Sequence, residues 1–225
     1  LQSTYGYHRI EILAALFNGL MLWLIVGIIF AAAYGRFFHP PMVDSQGMMI
    51  VAIVGLLVNL VAAAILHGGH RHNLNLRGAF LHVISDAVGS VGAIMAGLVM
   101  MTTGWYLADP LISFFIGILI LFSSWSLVRD SLSVLMQTVP KGIRLEEVRE
   151  TIEAVVGVSA VHDLHIWAVT SDIFTLSAHA VVIQGGDFHE VLNGIEDTLK
   201  ERYNIEHVTI QLETESREDK VFKAF

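Results

Sequence analysis

The chain has 225 residues, 54% of them hydrophobic and only 15% charged, with a mean hydropathy of +0.63. Soluble domains carry about 25% charged residues, so composition argues against a wholly soluble protein. The formal charge of −8 argues against nucleic acid, which needs a basic footprint, and zero cysteines exclude disulfides and thiolate metal sites.

Charge divides the chain in two. Residues 1–138 hold five basic side chains (Arg9, Arg36, Arg71, Arg77, Arg129) and five acidic ones (Glu11, Asp44, Asp86, Asp109, Asp130), so the net charge falls entirely in residues 139–225. A neutral, oily first domain, 1–138, is expected to precede an acidic, water-soluble second one, 139–225. Leu1 is not a start methionine and the first apolar run is too long for a secretory leader. The sequence therefore reads as part of a longer chain.

Four apolar runs, at about 10–34, 48–66, 79–101 and 111–128, reach the roughly 20 residues that cross about 30 Å of hydrocarbon as helix. Core helices of soluble proteins are shorter. Tyr34, Phe37, Trp105 and Tyr106 stand at the run ends, where amphipathic rings favour the headgroup layer. Arg9, Arg71, Arg77 and Arg129 fall on one side and only Arg36 on the other. The positive-inside rule places the N-terminus, the 67–78 loop and the second domain in the cytoplasm.

After Pro140 the pattern changes. Residues 145–155 and 188–202 have helical spacing. Residues 158–170, 173–183 and 208–212 are rich in β-branched side chains, with a turn at Ser171 and Asp172. The order α-β-β-α-β predicts a small α+β domain with its helices on one face of a three-stranded sheet.

Chemistry concentrates in histidines and carboxylates. His82 and Asp86, at i and i+4 in the third run, share one helical face. Asp86 lies nine residues beyond Arg77, about 13 Å into the span, where an ionisable group marks a functional candidate. Imidazole and carboxylate together suit Zn²⁺, which needs two further ligands; a His–Asp hydrogen bond joining two helices is the plainer reading. Gly78, Gly89, Gly92 and Gly97 permit close helix approach. Asn18 and Asn59 fit interhelical hydrogen bonds. His67, His70 and His72 make either a metal-gathering loop or an ordinary polar one.

In the second domain, parity on a regular strand sends His162 and His165 to opposite faces, so they share no metal without a bulge. A metal shared by His162, His179 and Glu213 fits neighbouring strands; solvent-exposed histidines are the alternative.

These segments together resemble the cation diffusion facilitator family, in its bacterial zinc, cadmium and cobalt efflux branch. The resemblance rests on 5–16 (YGYHRIEILAAL), 82–86 (HVISD), 108–110 (ADP), 161–167 (VHDLHIW), 176–179 (LSAH) and 207–213 (HVTIQLE), and covers nearly the whole chain. It implies a six-span α-helical bundle, of which the four runs are the third to sixth, followed by a cytoplasmic metallochaperone-like domain. The first two spans, with the other half of the transport site, would lie outside this sequence. His82 and Asp86 match the half that is present.

The resemblance further implies a homodimer in the lipid bilayer of the bacterial plasma (inner) membrane, exporting Zn²⁺, or alternatively Cd²⁺ or Co²⁺, against protons. Zn²⁺ would also act as a regulatory ion, bound by His162 and His179 with Glu213 and His207. Gln211 stands where some relatives have histidine, and His8 where some bind an ion near the membrane surface. No enzymatic step is implied. Of other readings, haem binding lacks a second histidine within a span, and an intramembrane metalloenzyme lacks H-E-x-x-H and a spare general base beside His82 and Asp86. A membrane-anchored metal sensor or scaffold without transport is the serious rival.

Overall fold

In hydrocarbon a chain satisfies its backbone only as helix or closed barrel, and the uncharged runs here fold as helices. The structure, a computed structural model, describes residues 6–39, 45–68 and 74–214. Four long helices come first: α1 (Arg9–Phe38), α2 (Ser45–Leu66), α3 (Leu74–Thr103) and α4 (Ala108–Leu135). All four are long and apolar enough to cross a membrane. Two compact units result. One is Ile10–Leu132; the other holds, among the described residues, 6–9 and 133–214.

The helices outrun their apolar cores because the charges at their ends find partners. On α3, Arg77 donates to Asp130 Oδ2 at 2.9 Å and to Ser126 Oγ at 2.7 Å, both on α4. At the opposite end of the bundle, Arg36 of α1 pairs with Asp109 of α4 at 2.8 Å. Between these clamps, small residues set the spacing. A Cβ on Gly92 would collide with Ile116, and one on Gly117 with Phe30, so α3 and α1 each approach α4 more closely than any side chain would allow. Trp23 stacks on Trp125 with centroids 5.5 Å apart and donates its indole N–H to Ser124 Oγ at 3.0 Å. Leu22, Val26, Ile116 and Ile120 fill the centre. α2 instead turns Val51, Val54, Val58 and Val61 outward, as a lipid-facing helix does.

The second unit follows the expected order: α5 (Leu145–Glu153), β1 (Val158–Ala168), β2 (Phe174–Val182), α6 (Phe188–Tyr203) and β3 (His207–Glu213). The sheet order is β1-β2-β3, with β1 antiparallel and β3 parallel to β2. The β1–β2 turn is tied by Thr170 Oγ1, which accepts from the backbone N–H of Asp172 and Ile173. Asp187 caps α6 by accepting from the N–H of His189 and Glu190, and Asn204 ends it in the left-handed region at φ 54°.

Both helices cover one face of the sheet. Val148 and Ile152 of α5 and Val191, Ile195 and Leu199 of α6 pack on Val161, Leu164, Ile166, Leu176, Ala178 and Ala180. Deleting one such fully buried leucine side chain typically costs about 2–5 kcal/mol. The other face of the sheet carries no helix from these two, and the candidate ligands gather there.

Candidate metal sites

In the first unit, the helical rise stacks His82 and Asp86 one turn apart on α3. His82 Nε2 lies 3.6 Å from Asp86 Oδ2, with about half of each side chain exposed. Donor atoms around a tetrahedral Zn²⁺ with bonds of about 2.0–2.2 Å stand about 3.4 Å apart, so the pair can hold one ion with little adjustment. Asp86 opens onto a cavity of about 490 Å³ walled by α1, α2, α3 and α4, otherwise lined mainly by apolar side chains such as Leu22, Ala52 and Ile120. Ser85 and Ser90, on the same wall, spend their hydroxyl protons on the carbonyls of Leu81 and Asp86. A second cavity of about 270 Å³ reaches the Arg36–Asp109 pair and shares Ile29, Gly89, Ala93 and Ile116 with the first. The two chambers thus lead from Asp86 toward the end of the bundle remote from Arg77.

The glycines serve different ends. Gly78 and Gly92 meet neighbouring helices closely, while Gly89 faces open space on the cavity wall. Neither Asn18 nor Asn59 makes the expected interhelical hydrogen bond among the described residues. Asn18 packs its amide against Gly78, and Asn59 lines the cavity that Asp86 opens onto.

In the second unit, three strands deliver one ligand each to the uncovered face. His162 on β1 pairs in register with His179 on β2, and their rings lie 5.1 Å apart. Glu213, at the end of β3, reaches across both. Its Oε2 is 3.2 Å from His162 Nε2, and its Oε1 is 3.3 Å from His179 Nδ1. One donor atom from each of the three lies within 4.8 Å of the others, so an ion bound by all three would draw them together toward the tetrahedral separation above. Glu213 is only 8% exposed. Burial acts to raise its pKa, but the Gln211 amide, the His162 hydrogen bond and the charges of His179 and His162 outweigh it. The carboxyl is held below the usual glutamate value. Gln211 Nε2 donates to Glu213 Oε1 at 2.6 Å, orienting the carboxylate from a position that itself faces His179 in register.

The parity expectation for His162 and His165 is overturned. Register shifts between them, and Asp163 takes φ 49°, the signature of a bulge. Val161 and Leu164 consequently both face the core, while His165, opposite Ser177, joins His162 on the uncovered face. Asp163 bridges the group: its Oδ1 is 2.9 Å from His165 Nε2 and its Oδ2 is 3.9 Å from His179 Nε2. Sequence spacing gave no sign of this, beyond the tolerance of aspartate for the left-handed region.

Other expected ligands fall elsewhere. His207 opens β3 opposite Thr175, six residues before Glu213, or about 20 Å along the strand. It therefore does not reach the group with His162, because a strand carries its first and last residues far apart. His8 is exposed in the turn before α1. His67 packs its ring 6.1 Å from Phe80; His70 and His72 lie outside the described residues.

Comparison with known proteins follows the same division. Residues 1–136 match the cation efflux transmembrane domain, and residues 140–215 the cytoplasmic domain of cation efflux proteins. The chain is 45% identical over 219 residues to the "Cadmium, cobalt and zinc/H(+)-K(+) antiporter" of Bacillus subtilis, covering 95% of this chain and 70% of that protein. It is 42% identical over 213 residues to the "Metal cation efflux system protein CzcD" of Cupriavidus metallidurans, covering 94% and 67%. The solved metal-bound C-terminal domain of the latter transporter aligns with 32% of this chain and 99% of its own, at 42% identity and a TM-score of 0.30.

Proposed function

This chain belongs to the cation efflux family, and from that premise we propose that it exports divalent metal cations, Zn²⁺ foremost with Cd²⁺ and Co²⁺ as alternatives, in exchange for protons. The observation that carries the reading is the His82–Asp86 pair, 3.6 Å apart inside a membrane-length helix, with Asp86 open to a cavity between the spans. A carboxylate at that depth is costly unless it has work to do.

The chemistry follows from the donors. Imidazole and carboxylate bind a metal ion only after losing their protons, so loading the ion releases protons and acid releases the ion. With the pair accessible from the cytoplasmic side, Zn²⁺ displaces protons at His82 and Asp86. With the pair accessible along the chambers toward Arg36 and Asp109, protons arriving from that side displace Zn²⁺. Alternation between the two states moves the metal outward and protons inward. Our reading assigns no covalent or enzymatic step.

Residues 1–138 form the membrane domain in this reading and 139–225 the cytoplasmic one. His162, His179 and Glu213 hold a regulatory Zn²⁺ on the uncovered sheet face. The acidic second domain repels a second copy of itself until cations neutralise it, which couples metal supply to the homodimer. His8 stands near the membrane surface as an accessory donor.

A second reading, a membrane-anchored metal sensor without transport, draws on the fact that the cytoplasmic group offers three donors and the span only two. Zn²⁺ flux into vesicles under an imposed pH gradient separates the two readings, because a sensor binds zinc and moves none.

A further inference from the structure

Of the polar side chains that the transport reading leaves without a task, one lines the cavity onto which Asp86 opens. Asn59 sits within α2, a helix whose neighbours in sequence are Val58 and Leu60. Its half-buried amide has no hydrogen-bond partner among the described residues, and an amide within a span is costly unless water or an ion reaches it. It lines the 490 Å³ cavity, and its companions there are informative. Ser85 and Ser90 donate their hydroxyl protons to α3 carbonyls and keep only acceptor capacity, which leaves Asn59 as the neutral side chain on that wall with no hydrogen bond among the described residues.

Helix geometry sets the two level with each other. α2 and α3 are consecutive packed helices joined by residues 67–73, an antiparallel hairpin. They meet where Gly55 of α2 faces Ser90 of α3: a Cβ at Gly55 would lie 3.4 Å from Ser90 Oγ. One turn along α2 from Gly55 is Asn59. One turn back along α3 from Ser90 is Asp86. In an antiparallel pair these steps run the same way, so Asn59 stands across the cavity from Asp86.

We propose that Asn59 is a further residue of the transport site, its side-chain oxygen accepting a hydrogen bond from a water of the hydrated divalent cation as that cation reaches Asp86. Water on a divalent metal is acidic and donates strongly to a neutral amide oxygen. An amide does this without adding negative charge that would slow release, and without titrating in the exchange with protons. The proposal rests on the transport reading, and its test separates the two.

Full-length protein is compared in nanodiscs and in vesicles, with Zn²⁺ as the probe, as wild type, Asp86→Ala, Asn59→Leu and Asn59→Gln, each checked for an unchanged thermal unfolding midpoint. One lost hydrogen bond to a charged hydrate corresponds to about a tenfold rise in the KM for Zn²⁺ flux in Asn59→Leu, with kcat within about twofold. Asp86-dependent Zn²⁺ binding weakens in parallel, and Asn59→Gln recovers most of the loss. Wild-type KM and affinity in Asn59→Leu overturn the proposal and leave the transport reading standing. If wild type carries no flux, the transport reading fails and binding alone decides: an unchanged affinity in Asn59→Leu overturns the proposal, and about a tenfold loss supports it. Absence of any Asp86-dependent binding overturns both. Should Asn59→Leu fold poorly, Asn59→Ala is read by the same criteria.

Discussion

His162 Nε2 lies 3.2 Å from Glu213 Oε2, although the two residues stand on opposite edge strands of the sheet. Edge strands on either side of a central one are about 9.6 Å apart, so the contact spans the whole sheet over the top of His179. The glutamate is long enough and lies at the strand end, and Gln211 aims it. This juxtaposition leads to the first prediction. Glu213→Gln should weaken Zn²⁺ binding at the cytoplasmic group more than Gln211→Ala, and Gln211→Ala should itself cost about tenfold, as loss of a partner that orients a ligand does. Calorimetric titration of the full-length protein carrying Asp86→Ala isolates this group from the span.

Acid should expose the same carboxylate. The folded protein holds Glu213 below its ordinary pKa, so the ionised form is favoured by folding. Its contribution is full above the unfolded value of about 4.3 and is lost as pH falls through the lower folded value. Metal-free Glu213→Gln should therefore be less stable than wild type at neutral pH and converge with it under acid. Thermal unfolding in chelator across a pH series measures this; a gap that widens on acidification contradicts it.

The bulge makes its own demand. Asp163 adopts φ 49°, which glycine takes freely and a β-branched residue resists. Asp163→Val should cost about 1–2 kcal/mol and disturb the placement of His162 and His165. Asp163→Gly should keep the fold while losing the carboxylate beside His165. Unfolding midpoints and Zn²⁺ titrations of the two variants distinguish backbone from side chain.

Helix spacing is testable by contrast. A Cβ at Gly92 meets Ile116 on α4, whereas one at Gly27 meets nothing within 4 Å. Gly92→Ala should lower the unfolding midpoint of the membrane protein, while Gly27→Ala should leave it unchanged or raise it slightly, alanine being the better helix former by about 1 kcal/mol.

Much of this architecture was legible in the residues. Long apolar runs between arginines read as spans, and β-branched segments bounded by Ser171, Asp172, Gly185 and Gly186 define the small sheet. His82 and Asp86 follow from a fixed helical repeat, and the pairing of His162 with His179 from strands flanking one turn. What escaped was set by single backbone choices or by lateral packing. The left-handed φ of Asp163 reverses the facing of every residue after it, so counting by twos fails at His165. His207 was implied as a ligand by the family resemblance, but an extended strand puts the two ends of β3 far apart. Asn59 read as an interhelical hydrogen bonder, because sequence does not say which helix face looks into a cavity.

The most direct test is Zn²⁺ flux by the full-length protein reconstituted in vesicles under an imposed pH gradient, compared with Asp86→Ala. We predict proton-dependent flux in the wild type and its loss in the variant, with Zn²⁺ binding by His162, His179 and Glu213 retained in both. Equal flux in the two proteins would contradict the placement of the transport site at His82 and Asp86.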